Sequence, residues 1–262
     1  KVDAMLQNKF VKKLKHPTAF TISPVAFALA ACGGGGDQSE GAAQAQNTDN
    51  SPVDIGQLQY FDIVGNLQKN STLTINIPSD DKVMAYINTK DLKDEEYVSN
   101  HYVVMCTVKG QIKKTPLLSY SKPRQNGINA ITIREGDQLL EAKLTTGSSQ
   151  IMMAVKSGKA IRFEEEKVRP MGRTASGVRG VTLANDKDEV VGMICVDDFN
   201  SDVLVVSENG YGKRSSIEDY RITNRGGKGV KTINVTDKTG NLISLKNVND
   251  DNDLMVVNKS GI

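Results

Sequence analysis

Lysine and arginine recur in this chain at fixed distances from glycine. Lys114, Arg162 and Arg214 each stand four residues after Gly110, Gly158 and Gly210. Arg173 and Arg225 stand four residues before a second glycine series, Gly177 and Gly229. Arg179 and Lys231 follow that series by two residues, with Asn129 breaking the pattern after Gly127. Lys213 precedes Arg214, and the densest segment is Arg225-Gly226-Gly227-Lys228-Gly229. The chemistry open to such a set is phosphate recognition. Guanidinium and ammonium groups make charge-assisted hydrogen bonds to phosphate oxygens. Glycines let the main chain approach an anion and present its N–H groups. Cations kept in register contact a phosphate backbone rather than read base identity. A nucleotide-binding P-loop is excluded, because Lys228 is followed by Gly229 instead of Ser or Thr and Ile222 occupies the place of its first glycine.

Other chemistries fail on supply. The only histidines are His16 and His101, too few for histidine-based metal sites or proton relays. Cys32, Cys106 and Cys195 form no CxxC pair, which excludes a zinc ribbon or a thioredoxin-type motif. Cys106 and Cys195 lie within apolar runs and are expected to be small buried hydrophobes. Tryptophan is absent and aromatics are 5% of the chain, which disfavours base stacking on aromatic platforms. With 33 basic and 31 acidic residues, a polyanion binder must segregate its charges on one face.

The elements that carry these cations repeat. Four apolar runs each precede a turn glycine: residues 103–106 before Gly110, 151–155 before Gly158, 203–206 before Gly210, and 254–257 before Gly261. These glycines are 48, 52 and 51 residues apart. Gly127, Gly177 and Gly229 each open a second apolar pattern: Ile128, Ile131, Ile133; Val178, Val181, Leu183; and Val230, Ile233, Val235. Its last two members have the spacing of strand alternation. A period near fifty with room for about four strands predicts an all-β radial or stacked array. The first glycine series suits hairpin turns that need positive φ. The best helical candidate is the short acidic segment 89–98. Equivalent positions on blades fall on equivalent places of the surface, so the cations are expected to form a band.

Residues 222–230, Ile-Thr-Asn-Arg-Gly-Gly-Lys-Gly-Val, resemble the box found in the C-terminal domain of the DNA gyrase A protein, whose pattern is Gln-Arg-Arg-Gly-Gly-Lys-Gly. Positions 225–229 match, while Thr223 and Asn224 replace its first two residues. Segments 156–163, 172–180 and 208–214 look like further blade signatures of that family, and the resemblance runs from about residue 75 to residue 262. It implies a β-pinwheel of roughly 50-residue, four-stranded blades, here cut short. Repeats are expected near 103–150, 151–202 and 203–253, with a truncated one from 254. It further implies a positively charged rim that wraps duplex DNA without sequence specificity. DNA contacts would fall to Arg225, Gly226, Gly227, Lys228, Gly229, Lys231, Arg214, Lys213, Arg179, Arg173, Arg162 and Lys114. The family acts with a gyrase A cleavage core and the gyrase B protein, as A2B2, in ATP-dependent negative supercoiling in the cytoplasm, at the nucleoid. The resemblance implies no cofactor in this chain, since ATP and Mg are bound elsewhere in that complex. None of the seven tyrosines lies in the family's cleavage motif, so the chain is expected to bind and bend DNA without cutting it. One departure is that the family's principal box lies in the first blade. The A protein of topoisomerase IV is the related alternative, with similar blades and eroded boxes.

The leader is of another kind. Residues 1–32 run from Lys9, Lys12, Lys13 and Lys15 through an apolar stretch to Leu29-Ala30-Ala31-Cys32, which resembles a bacterial lipoprotein signal with Cys32 as the lipidated residue. Residues 33–50 read as a flexible tether. Residues 51–74 are unassigned beyond a candidate strand at 60–64. Such a signal would place the domain on a membrane outside the cytoplasm. The conflict is resolved if the leader is foreign to the domain. The rival expectation is an envelope lipoprotein carrying a propeller-like binding module.

Overall fold

A computed structural model of the chain describes residues 83–122 and 127–255, together with four short upstream strands. These are β1 (Phe20–Thr21), β2 (Phe27–Leu29), β3 (Tyr60–Asp62) and β4 (Thr72–Leu73). Then come β5 (Ala85–Ile87), helix α1 (Glu95–Ser99), β6 (Tyr102–Thr107), β7 (Gln111–Pro116) and β8 (Leu139–Thr145). The second repeat supplies β9 (Gln150–Val155), β10 (Lys159–Glu164), β11 (Val178–Arg179) and β12 (Val190–Val196). The third supplies β13 (Asp202–Ser207), β14 (Gly212–Ser216), β15 (Val230–Lys231) and β16 (Leu242–Val248). A 3₁₀ turn follows the second strand of each hairpin, at Leu117–Tyr120, Glu165–Lys167 and Ile217–Asp219.

Hairpins β6–β7, β9–β10 and β13–β14 are antiparallel, and β8, β12 and β16 pair on the far side of their first strands. The turn glycines sit where the sequence predicts positive φ, at 83° for Gly110, 83° for Gly158 and 84° for Gly210. The first two blades each borrow a fourth strand from the next repeat. The first sheet runs β11-β7-β6-β8 and the second β12-β9-β10-β15. The third, β14-β13-β16, holds three strands among the described residues.

The core lies between successive sheets. Val104, Cys106 and Ile112 of the first blade pack on Ile151, Met153, Ile161 and Phe163 of the second. Met152, Ala154 and Ala160 of the second pack on Val203, Val205 and Leu245 of the third. Ile87, Leu92 and Val98 cover the outer face of the first blade. Burial of such apolar side chains, at about 1.5–3 kcal/mol each, is the main attraction between blades. Both thiols belong to these layers, and burial pushes the Cys106 and Cys195 thiols up, away from the reactive thiolate.

Two expectations need correction. The helix is shorter than the segment 89–98: it begins at Glu95, because the Asp94 carboxylate caps it by accepting from Tyr97 N at 3.0 Å. The second apolar pattern does not continue as a strand, since the ladder holds only Val178 and Arg179, or Val230 and Lys231. Past that point both Gly180 N and Val181 N donate to Gly110 O, at 2.8 and 3.3 Å, and the chain leaves the ladder. Beyond it Val181, Leu183 and Ile233 pack between blades, whereas Val235 is exposed. Of the lipobox segment only Leu29 is described, at the end of β2; Ala30, Ala31 and Cys32 lie outside the described residues, as does Gly261.

Candidate nucleic-acid interface

The two glycine series meet. Gly158, at positive φ, leaves room for Ile233 O, which would lie 2.6 Å from a Cβ at that position. Gly229, with φ 73°, leaves room in the same way for Ala160 O, 2.4 Å from its would-be Cβ. Thr232 N and Ile233 N both donate to Gly158 O, at 2.9 and 3.3 Å. The same joint is built one repeat earlier from Gly110 and Gly177. So the first glycine of one repeat and the second glycine of the next form one junction, at which the exchanged strand docks.

That junction sets which cations face solvent. Arg179 and Lys231 end the exchanged strands β11 and β15 and are both exposed. Lys231 stands directly opposite Lys159 across the β10–β15 rung, and neither ammonium has a carboxylate partner among the described residues. Like charges opposite one another on a ladder repel, and an anion between them would relieve this. Lys228 is exposed in the box loop, and Lys213 is exposed on β14. Arg169 and Arg221 are exposed too. Sequence reasoning does not single out these two or Lys159, although Arg169 and Arg221 both stand eight residues before the second glycine series.

Arg173 and Arg225 are half-buried and turned onto main chain. Arg225 Nε donates to Lys167 O at 2.9 Å, and its Nη1 donates to Arg179 O at 3.1 Å. Arg173 Nη1 donates to Asn129 O at 3.1 Å, the equivalent carbonyl one repeat earlier. The box glycines were expected to offer free N–H donors to an anion. Gly226 N is instead taken by Gly180 O at 2.6 Å. Gly226 O accepts from Thr182 Oγ1 at 2.6 Å, and Gly227 O from Thr182 N at 2.9 Å.

Lys114 and Arg162 do not join a surface band; both are buried. The Lys114 ammonium pairs with the buried Glu165 carboxylate at 3.1 Å and lies 4.6 Å from the Tyr102 ring centre. The Arg162 guanidinium donates to Gln150 Oε1 at 2.7 Å and to the carbonyls of Ile217 and Tyr220 at 2.7 and 3.0 Å. Each is roofed by the next repeat, through parallel bridges of Lys114 to Pro170 and of Arg162 to Ile222. Arg214, at the same place in the third repeat, is exposed and paired with Asp202 at 2.6 Å and Asp250 at 2.7 Å. The facing positions 102, 150 and 202 thus meet the cation with a ring, an amide and a carboxylate in turn.

Lys113, which the repeat pattern does not single out, is wholly buried beneath the first junction. Its ammonium donates to Ala130 O at 2.5 Å and to Arg173 O. Burial first, and then the nearby Arg173 charge, pull it down to about 7. Among the described residues no cluster of three or more His, Cys, Asp or Glu could hold a metal ion, and no helix is long and apolar enough to cross a membrane.

Comparison with known proteins accords with this architecture. The family model for the DNA gyrase C-terminal domain, a beta-propeller, matches residues 101–146, 149–197 and 201–249. The DNA gyrase A protein of Staphylococcus epidermidis is 41% identical over 189 residues, covering 72% of this chain and 21% of that protein. Its counterpart in Staphylococcus aureus is 40% identical over the same length. The chain therefore spans about one fifth of the length of these curated relatives. A solved DNA gyrase A C-terminal domain superposes with a TM-score of 0.57 at 25% identity, over 68% of this chain and 57% of that one. A DNA topoisomerase IV C-terminal domain superposes with a TM-score of 0.59 at 23% identity, over 65% and 52%, a likeness of fold. With three successive blades matched over more than half its length, the chain belongs to the DNA gyrase C-terminal domain family.

Proposed function

We infer that this chain binds and wraps duplex DNA through the exposed cations of its exchanged strands and box loop. It would do so as the wrapping domain of a gyrase A protein, beside a cleavage core and a gyrase B protein that supplies ATP hydrolysis. The site of action is then the nucleoid. The observation that carries the reading is the facing of Lys159 and Lys231 without a carboxylate partner among the described residues, with the exposed Lys228 three residues before Lys231 and Arg179 on the preceding blade. Such a set, reached without aromatic platforms or base-reading side chains, matches a phosphate backbone. The contact set is narrower than the sequence suggests. It keeps Arg179, Lys213, Lys228 and Lys231, adds Lys159, Arg169 and Arg221, and leaves Lys114 and Arg162 inside the fold. Gyrase is preferred to topoisomerase IV because the Arg-Gly-Gly-Lys-Gly run is intact and a gyrase A protein is 41% identical over 189 residues.

Salt dependence tests this. Each phosphate contact releases counterions and steepens the fall of log affinity against log salt by about 0.9. Four or more contacts predict a steep slope on mixed-sequence duplex, with little preference among sequences of equal bendability. A flat response, or strong discrimination among such sequences, contradicts the reading.

A further inference from the structure

We propose that Arg225 is a positioning residue: it fixes the exposed cation Arg179 of the preceding blade instead of contacting DNA itself. This inference rests on the DNA-binding reading above. Three observations lead to it. The Arg225 guanidinium is turned onto two carbonyls of the second repeat, those of Lys167 and Arg179, at 2.9 and 3.1 Å. The adjoining Gly226, at φ 82°, neighbours Arg179: a Cβ there would stand 3.9 Å from Arg179 Cγ and Cδ and 3.6 Å from its carbonyl oxygen. Thr182 closes the clasp with its bonds to Gly226 O and Gly227 O. Arg179 is thus gripped through its main chain by Arg225, while its side chain stays exposed. A long cationic side chain loses much freedom when it meets a phosphate, and holding its main chain in place beforehand reduces the ordering that binding requires.

The preceding joint repeats one of the two arginine bonds and the threonine bonds around a different side chain. Arg173 donates to Asn129 O, and Thr132 Oγ1 donates to Thr174 O at 2.7 Å. There the gripped residue is neutral. The clasp is therefore common to the junctions, and a phosphate contact arises only where the clasped residue carries charge. On this account the box of one repeat governs the cation of the repeat before it, so consecutive blades engage DNA as a coupled pair.

The test is a double-mutant cycle on the salt slope of duplex DNA affinity, using the full chain. The variants are R179A, R225A, R179A/R225A and R225K, each checked for a native thermal melt. R179A should lower the slope by about 0.9, one phosphate's worth. R225A should lower it by about as much, and the double variant no further than R179A alone. R225K keeps the charge but loses the planar fork that reaches two carbonyls, so its slope should match that of R179A. If R225A fails to melt natively, R225K carries the test. A double variant that loses about twice the slope of either single one, or an R225K variant with the wild-type slope, overturns the positioning role and makes Arg225 a direct contact. Absence of binding by the unmodified chain instead overturns the DNA-binding reading, and the proposal with it.

Discussion

The first two blades and the third treat one position in opposite ways. Lys114 and Arg162 are roofed by the repeat that follows and become internal struts, whereas Arg214 faces solvent and two carboxylates. In this register a following repeat turns the cation into a piece of core, and among the described residues no following repeat lies over Arg214. A buried cation must have its hydrogen bonds met within the protein. Lys114 has Glu165 and Gly147 O for this, and Arg162 has three oxygens, which leaves neither able to reach a phosphate.

The largest effect expected from breaking this contrast is on the buried side. Lys114→Met should leave the Glu165 carboxylate uncompensated in the interior and lower unfolding stability by about 3 kcal/mol. Chemical denaturation would register this as an earlier midpoint; an unchanged midpoint would mean that Lys114 is no strut. Arg162→Met should likewise destabilise the fold, so a loss of DNA affinity in that variant would report on folding rather than on contact.

The glycine junctions sharpen the comparison next. Gly229→Ala places a Cβ against Ala160 O in a left-handed backbone and should cost about 3 kcal/mol, strain and clash together. Gly210 also has a positive φ, 84° against 73°, yet among the described residues nothing lies within 4 Å of its would-be Cβ. Gly210→Ala should then cost only the conformational part, about 1 kcal/mol. Equal losses in the two melts would remove the junction from the account.

A pH effect follows from Lys113. Its value in the folded chain is about 7, against 10.5 for an ordinary lysine, so above pH 7 the unfolded chain binds the extra proton. Stability should rise with pH from about 7. The raised values of Cys106 and Cys195 act in the opposite sense once ordinary thiols ionise, near pH 8.5. Between about pH 7 and 8.5 the thiols do not yet oppose the rise; burial also pulls the Lys246 ammonium down, in the same sense, so Lys113→Met should reduce the rise there. A rise of unchanged size in that variant would assign it to another group. The smallest effect is expected at Arg214: its replacement by Met should leave the melt unchanged, because its pairs are exposed at the surface.

Much of this was legible in the sequence. The turn glycines, the three complete repeats and the box at 225–229 are all local features, set by φ preference and by strand alternation. The exchange of strands was not legible, because a period shows which positions are equivalent and not which strand pairs with which. Equivalence also hid burial. A usable signal was nonetheless present: Arg162 sits between Ile161 and Phe163, and Lys114 follows Ile112 on one strand face, whereas Arg214 lies in the polar run 213–216. Glycine makes an open cradle for phosphate possible at the box, and that possibility alone is what the sequence displays. In the fold, Gly226 gives its N–H to Gly180 and its carbonyl to Thr182, so the loop is largely spent on joining blades.

The central claim is that successive blades wrap DNA around their exposed cations. It is tested most directly by closing nicked circular duplex DNA in the presence of the chain and reading the change in writhe on a gel. A shift toward positive writhe that grows with protein and is lost at high salt is the predicted result. Tight binding with no topological shift would contradict wrapping and reduce the cations to a flat contact surface.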